Sequence, residues 1–279
     1  VCRLLKADPA SARVPVLFIS ALDEIQDKVR AFSAGGQDYV TKPFQLEEVV
    51  ARVETHLALH DLERDLEAAN RRMERDLLLA AQVQASFMPG KLPEVPGWQL
   101  AVSLLPAKLI SGDFYDVISL PGGELAILIA DVVDKGVGAA LYMAMSIALL
   151  RTALTEIPDQ PAEVCRVVSR QLHGYATGGQ FVTVFLGILD PCSGRLVYSN
   201  AGHNPPILIR SAHPDGLLQL AKTGLALGVL EDAAWQTGSV PMQRGDTLVL
   251  YSDGITEAEN DHQEFYRLHR LLAAAREDA

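Results

Sequence analysis

Cysteine is scarce in this chain: Cys2, Cys165 and Cys192 are odd in number, far apart and without a Cys-x-x-Cys pair. That pattern argues against a disulfide framework and a zinc site. Positive charge is also in deficit, with 24 basic against 35 acidic residues and a formal net charge of −11. Nonspecific binding to nucleic acid or to an anionic membrane is therefore not expected. The longest apolar stretch in a helical pattern, Ala139 to Leu150, contains Ser146 and falls short of the roughly 20 residues of a membrane span. No charged-then-apolar leader opens the sequence, which makes the cytoplasm the expected compartment. The length of 279 residues, 49% hydrophobic, is ample for one large or two smaller globular domains.

Glycine and proline are missing from Arg52 to Met88, a segment of Ala, Leu, Glu, Arg, Gln and Asp that predicts one long helix. A heptad fits it, with Leu59, Leu66, Met73, Ala80 and Phe87 at one core position and Leu62, Ala69, Asp76 and Val83 at the other. Spacing of this kind predicts a coiled coil able to join two domains and pair two chains as a homodimer. An amphipathic helix packed on its own domain is the competing reading. Asp76 at a core position costs stability, but sets register or marks where the helix leaves its partner.

Upstream, strands at Val16 to Ser20 and Asp38 to Thr41 alternate with a helix from about Asp23 to Ala34 and another from Leu46, which predicts a doubly wound parallel sheet. Downstream, Pro89, Gly90, Pro93, Pro96 and Gly97 break the long helix. Strands are expected at Trp98 to Pro106, Phe114 to Leu120, Leu125 to Ala130, Phe181 to Leu189, Arg195 to Asn200, Ile207 to Arg210, Leu217 to Leu220 and Thr247 to Tyr251. Helices are expected from Ala139 and from Pro161 to about Tyr175. The near-continuous apolar run Leu125 to Ala130 reads as a strand covered on both faces that surfaces at Asp131. Asp253, with Gly254 behind it, ends the strand Thr247 to Tyr251 in the same way.

Two buried strands that each end in an aspartate can bring carboxylates together. Two like charges about 4 Å apart repel by roughly 1 kcal/mol in water and about 4 kcal/mol at an effective dielectric near 20, so such a cluster is tolerable mainly around a cation. Hard oxygen donors suit Mg²⁺ or Mn²⁺. Taken singly, Asp253 reads equally well as a metal-free Asp-Gly turn, Asp113 as a cap, and Asp116 as structural. His203 reads more readily as a packing residue than as a phosphate contact.

Six blocks carry a resemblance: SGDFYD at 111–116, ADVVDKGVGAALYMA at 130–144, FVTVFLGILD at 181–190, SNAGHNPP at 199–206, GLALGV at 224–229 and LYSDGITEA at 250–258. In this order they resemble the SpoIIE-type (RsbU-like) branch of the PPM/PP2C metal-dependent serine/threonine phosphatases. The resemblance implies an α+β fold, a PP2C-like β-sandwich flanked by helices, and two Mn²⁺ or Mg²⁺ ions that activate water and clamp phosphate oxygens. It further implies that Asp131 bridges both ions, the Val132 carbonyl and Asp113 serve the first, and Asp253 serves the second. Gly112 and Gly254 would let the backbone turn tightly beside these ligands. Two departures stand out. Asp134 replaces a glycine of the family's turn, and the family's closing Asp-Asp-x-Thr block does not occur before Ala279.

The first 54 residues resemble the C-terminal half of a response-regulator receiver, an α/β fold. In it Ser20 would hold the hydroxyl position, Tyr39 the aromatic switch position and Lys42 the phosphoryl-contacting lysine. The expected division is thus a receiver fragment at 1–54, a helical coiled-coil linker at 55–90 and a phosphatase domain at 91–279. The chain is expected to be a piece of a longer one, with an acidic pair and acceptor aspartate upstream and the Asp-Asp-x-Thr block downstream. The expected activity is dephosphorylation of a phosphorylated protein, by resemblance a STAS-type anti-sigma-factor antagonist, under a histidine kinase acting through the receiver. The competing classes are a pseudophosphatase scaffold that binds its partner without hydrolysis and a purely structural dimeriser.

Overall fold

The computed structural model describes residues 1–21, 25–175 and 179–277, leaving aside the side chains of 213–215 and 277. It divides into two compact units, Val1–Asp76 and Leu77–Ala279. In the first, α1 (Cys2–Ala7) and α2 (Ile25–Ser33) accompany a parallel pair of strands, β1 (Leu17–Ser20) and β2 (Asp38–Thr41). The expected start of α2 near Asp23 falls outside the described residues. α3 begins at Leu46, where a helix was expected, and runs on without a break through the long helix predicted from Arg52, ending at Ser86 two residues short of Met88, 41 residues in all. Asp38 anchors its beginning, accepting hydrogen bonds from Arg52 at 2.9 Å and lying 3.2 Å from His56 Nε2.

The second unit is a sandwich of two antiparallel sheets with helices outside. The larger sheet has the order β3-β4-β5-β6-β9, from β3 (Phe114–Ser119), β4 (Leu125–Val132), β5 (Val182–Asp190), β6 (Arg195–Ala201) and β9 (Gly238–Pro241). The smaller has the order β10-β7-β8, from β7 (Ile207–Arg210), β8 (His213–Gln219) and β10 (Thr247–Val249). Strand alternation explains the layers. Along β4, Ala126, Leu128, Ala130 and Val132 face a core shared with α4 (Val137–Glu156) and α5 (Pro161–His173). Leu125, Ile127 and Ile129 point the other way, into the space filled by Phe185, Leu208, Leu220 and Leu248. Outside the smaller sheet, Ile207 and Ile209 pack with Leu268, Leu271 and Leu272 of α7 (Arg267–Glu277). The mixed α/β composition with a β-sandwich flanked by helices is the architecture expected from the sequence.

Several expectations fail in instructive ways. Trp98 to Pro106 forms no strand. Trp98 and Leu100 pack against the inter-sheet core, but beyond them Val102 and Leu105 are exposed, so past Leu100 the segment has no buried face to hold it as a strand. β10 stops at Val249 instead of Tyr251, and Asp253 opens the four-residue helix α6 (Asp253–Thr256) where an Asp-containing turn was expected. β9 was not anticipated, since Gly238 and Pro241 weaken its sequence signal. α4 outruns the apolar stretch Ala139 to Leu150 and reaches 20 residues; among the described residues it is the one helix long and apolar enough to cross a membrane. Its Tyr142, Met143, Ile147, Leu150 and Leu154 are buried in the core beneath β4.

Candidate metal centre

The register of β3 against β4 sets the site. Phe114 pairs with Ala130 and Tyr115 with Ile129. One step beyond, the same register puts Asp113 opposite Asp131, and the next step is marked by the Val132 N–H donating to the Gly112 carbonyl at 3.4 Å. Side chains directly across an antiparallel pair share a face and lie about 4.5–5.5 Å apart at Cβ. Both are odd-numbered, so they point with Ile127 and Ile129 toward the inter-sheet side, at the end where those strands leave the sheet. Two half-buried carboxylates are thus forced together.

The electrostatic consequence falls on Asp131. Burial, then hydrogen bonding and charge from Asp113, then charge from Asp253, push its pKa up to about 8, against a smaller pull from Lys135. Asp253 is exposed at the rim, one residue after Ser252, whose hydroxyl donates to Asp113 Oδ2 at 2.9 Å. Gly254 sits so close that a Cβ there would lie 3.9 Å from Asp113 Oδ2. Gly112 is tighter still: a Cβ would meet the Val132 carbonyl oxygen at 2.8 Å and Asp131 Oδ1 at 3.4 Å. Any side chain at 112 would fill the space between two oxygen donors.

Asp113, Asp131, Asp253, Val132, Gly112 and Gly254 therefore converge, from residues up to 142 positions apart in the sequence. Among the described residues no three acidic, histidine or cysteine side chains are close enough to hold a metal by themselves. The donor set that fits a hard cation is instead two adjacent carboxylates and a main-chain carbonyl, with Asp253 contributing its field. Asp116 does not join it. The side chain is buried and accepts from Arg151 Nε at 2.5 Å.

His203 lies beside the site. It is buried, its Nδ1 is 2.9 Å from Thr183 Oγ1, and Thr183 is the β5 partner of Asp131. Burial lowers its pKa to about 4 despite the opposing charge of Asp113 and the Tyr251 carbonyl. Among the described residues its Nε2 has no partner of good geometry. In the first unit, Ser20 and Lys42 meet at adjacent ends of β1 and β2, where the Lys42 N–H donates to the Ser20 carbonyl at 2.8 Å; Tyr39 is half-buried on β2 opposite Phe18.

Sequence reasoning missed Ser252, Thr183, Ser111 and Gln84. Ser252, Ser111 and Thr183 all lie inside the quoted blocks, but the place of Thr183 opposite Asp131 emerges only when β5 is registered against β4.

Comparison with known proteins gives these contacts a family. Residues 121–279 match the family described as Stage II sporulation protein E (SpoIIE), and residues 1–54 match the response regulator receiver domain. The chain belongs to the SpoIIE family. Asp131, Val132 and Asp253 fall inside the matched residues and Asp113 lies just before them. Protein IcfG of Synechocystis sp. is 32% identical over 220 residues, which cover 68% of this chain and 34% of IcfG. Phosphoserine phosphatase RsbU of Bacillus subtilis is 28% identical over 212 residues, 74% of this chain and 62% of RsbU. The SpoIIE-family chain thus spans about a third of one curated relative and under two thirds of the other. Among solved structures, the SiaA-PP2C domain of Pseudomonas aeruginosa has the same fold, with a TM-score of 0.62 at 19% identity over 76% of this chain and 85% of that one. SpoIIE and PP2C-type phosphatases are metal-dependent as a family.

Proposed function

We propose that this chain is the receiver-linked, metal-dependent serine/threonine phosphatase part of a signalling protein, divided into a receiver segment at 1–54, a linker helix at 55–90 and a phosphatase domain at 91–279. The observation that carries the proposal is the cross-strand pair Asp113–Asp131, crowded in one half-buried corner with the Val132 carbonyl and the field of Asp253. An unrelieved pair of like charges there would be costly, and a divalent cation removes the cost. Asp131, Asp113 and the Val132 carbonyl would hold one Mn²⁺ or Mg²⁺, and Asp131 with Asp253 a second. When bound, such ions supply Lewis acidity at a phosphoryl group and a nucleophile drawn from water at neutral pH. The chain's own residues do the positioning: Ser252 orients the Asp113 carboxylate, and Thr183 holds the strand opposite Asp131. Ser20, Tyr39 and Lys42 would form the switch side of the receiver. The substrate would be a phosphoserine or phosphothreonine on a partner protein. RsbU is named a phosphoserine phosphatase, which supports that class, and a STAS-type antagonist in the cytoplasm is the specific substrate proposed.

The experiment is Mn²⁺-dependent hydrolysis of a phosphoserine peptide by the chain and by Asp131→Asn. Asp131→Asn should abolish the Mn²⁺-dependent rate, a fall of at least about a thousand-fold. Undiminished hydrolysis in that variant would sink the assignment. The pseudophosphatase reading is favoured by one observation, the absence among the described residues of a ready-made three-side-chain cage. It predicts binding of the phosphorylated partner with no turnover at any Mn²⁺ concentration.

A further inference from the structure

The end of α3 is stitched to the turn that carries Asp113. Gln84 Nε2 donates to the Ser111 carbonyl at 2.6 Å, and the Ser111 N–H donates back to Gln84 Oε1 at 3.1 Å. Ser111 in turn offers its hydroxyl oxygen to the Asp113 N–H at 3.0 Å. The reason for the reciprocal pair lies in sheet topology. β3 is an edge strand, and Gly112 spends its carbonyl on β4, so by strand alternation Ser111 presents both its main-chain groups outward with no strand to receive them. The Gln84 amide supplies one donor and one acceptor, as a neighbouring strand would.

A second tether arrives on the other side of Asp113. Arg151 of α4 donates through Nη2 to the Phe87 carbonyl at 2.6 Å, just past the end of α3, and through Nε to the buried Asp116. Phe87 and Met88 pack against the α4–α5 core. The helix end is thus bonded to the chain two residues before Asp113 and, through Arg151, three residues after it. Resting on the metal-site reading above, we infer that Gln84 is a positioning residue for Asp113: it fixes the Ser111–Asp113 turn in the geometry that lets Asp113 and Asp131 share a cation, and it transmits any displacement of the α3 end to that pair.

The test uses the 279-residue chain, free of substrate. Mn²⁺ binding is measured by titration calorimetry, and amide hydrogen exchange is followed at Gly112 to Phe114, for the wild type, Gln84→Ala and the exposed-neighbour control Gln82→Ala. Gln84→Ala should weaken Mn²⁺ binding roughly ten-fold and speed exchange at the turn, with β6 amides unchanged and Gln82→Ala like the wild type. A merely structural glutamine would lower stability without moving Mn²⁺ affinity. Should Gln84→Ala fail to fold, Gln84→Met keeps the length and apolar stem of the side chain and removes both hydrogen bonds to Ser111 without adding charge; it should also bind Mn²⁺ more weakly. A folded Gln84 variant with wild-type Mn²⁺ affinity overturns the inference alone. A wild-type chain that binds no Mn²⁺ overturns the metal reading and this inference with it.

Discussion

A buried histidine that must stay neutral makes folding depend on pH. Free histidine takes a proton near pH 6.5, whereas His203 resists until about 4 because burial disfavours the imidazolium. Between those values the unfolded chain binds more protons than the folded one. The contribution of His203 to stability is therefore complete above pH 6.5 and declines as pH falls toward 4, by on the order of 3 kcal/mol in total. Denaturant midpoints measured from pH 7 to 4 should fall more steeply for the wild type than for His203→Gln, and equal slopes would refute this account. Asp134 offers a second test at the same scale. The residue is exposed, and its Oδ1 accepts its own neighbour's Lys135 N–H at 2.7 Å. Its φ of 88° is a backbone region that suits glycine. Asp134→Gly should thus stabilise the fold by about 1 kcal/mol, read as a raised denaturant midpoint, without loss of Mn²⁺ binding. A lowered midpoint would show that the aspartate's hydrogen bond outweighs the strain.

Along α3 the heptad residues Leu59, Leu62, Leu66, Met73 and Val83 are each more than half exposed. A stripe of this kind on a helix about 60 Å long is unfavourable in water unless covered, and an identical stripe on a second copy is the cover that heptad spacing suits. Sedimentation equilibrium should show a concentration-dependent dimer, and Leu62→Glu with Leu66→Glu should weaken it by at least about ten-fold. A wild-type chain that stays monomeric at high concentration would remove the coiled coil. Helix α3 and the core strands of the larger sheet were legible in the sequence because each obeys a local rule: unbroken helix formers for the one, apolar runs closed by Gly and Asp turns for the others. The convergence of Asp113 with Asp131 was legible only in part. The quoted blocks brought the two together by resemblance, but the physical cause is a register that no single strand contains. Trp98 to Pro106, β9 and α6 escaped because a strand exists only where a partner edge receives it, and because Asp-Gly serves as well to start a helix as to make a turn. Gln84 lies in the tail of the predicted long helix, but nothing in the helix pattern marks its role, which depends on which strand ends up at the sheet edge.

The two compact units are unequal in what they bury. In Val1–Asp76 the buried apolar side chains among the described residues are Cys2, Ala31 and Val40, and the sheet is two four-residue strands. Among the described residues Leu77–Ala279 contains three packed clusters built on two sheets and the helices α4, α5 and α7, which include Phe114, Leu128, Met143, Ile147, Phe185 and Leu186. Apolar burial at about 25 cal/mol per Å² is the main favourable term in folding, and two short strands on their own are marginal. The first unit should therefore open at a much lower free energy than the second, although α3 runs through the boundary without a break. Native-state hydrogen exchange distinguishes the cases. Amides of β1, β2 and α2 should exchange through openings of only about 1–3 kcal/mol, while those of β4 and β5 exchange near the global unfolding free energy. Urea unfolding should accordingly show two transitions, the first small in amplitude. If β2 and β5 instead exchange at one common free energy, the units fold as a single cooperative body, and burial within each unit is not what governs their stability.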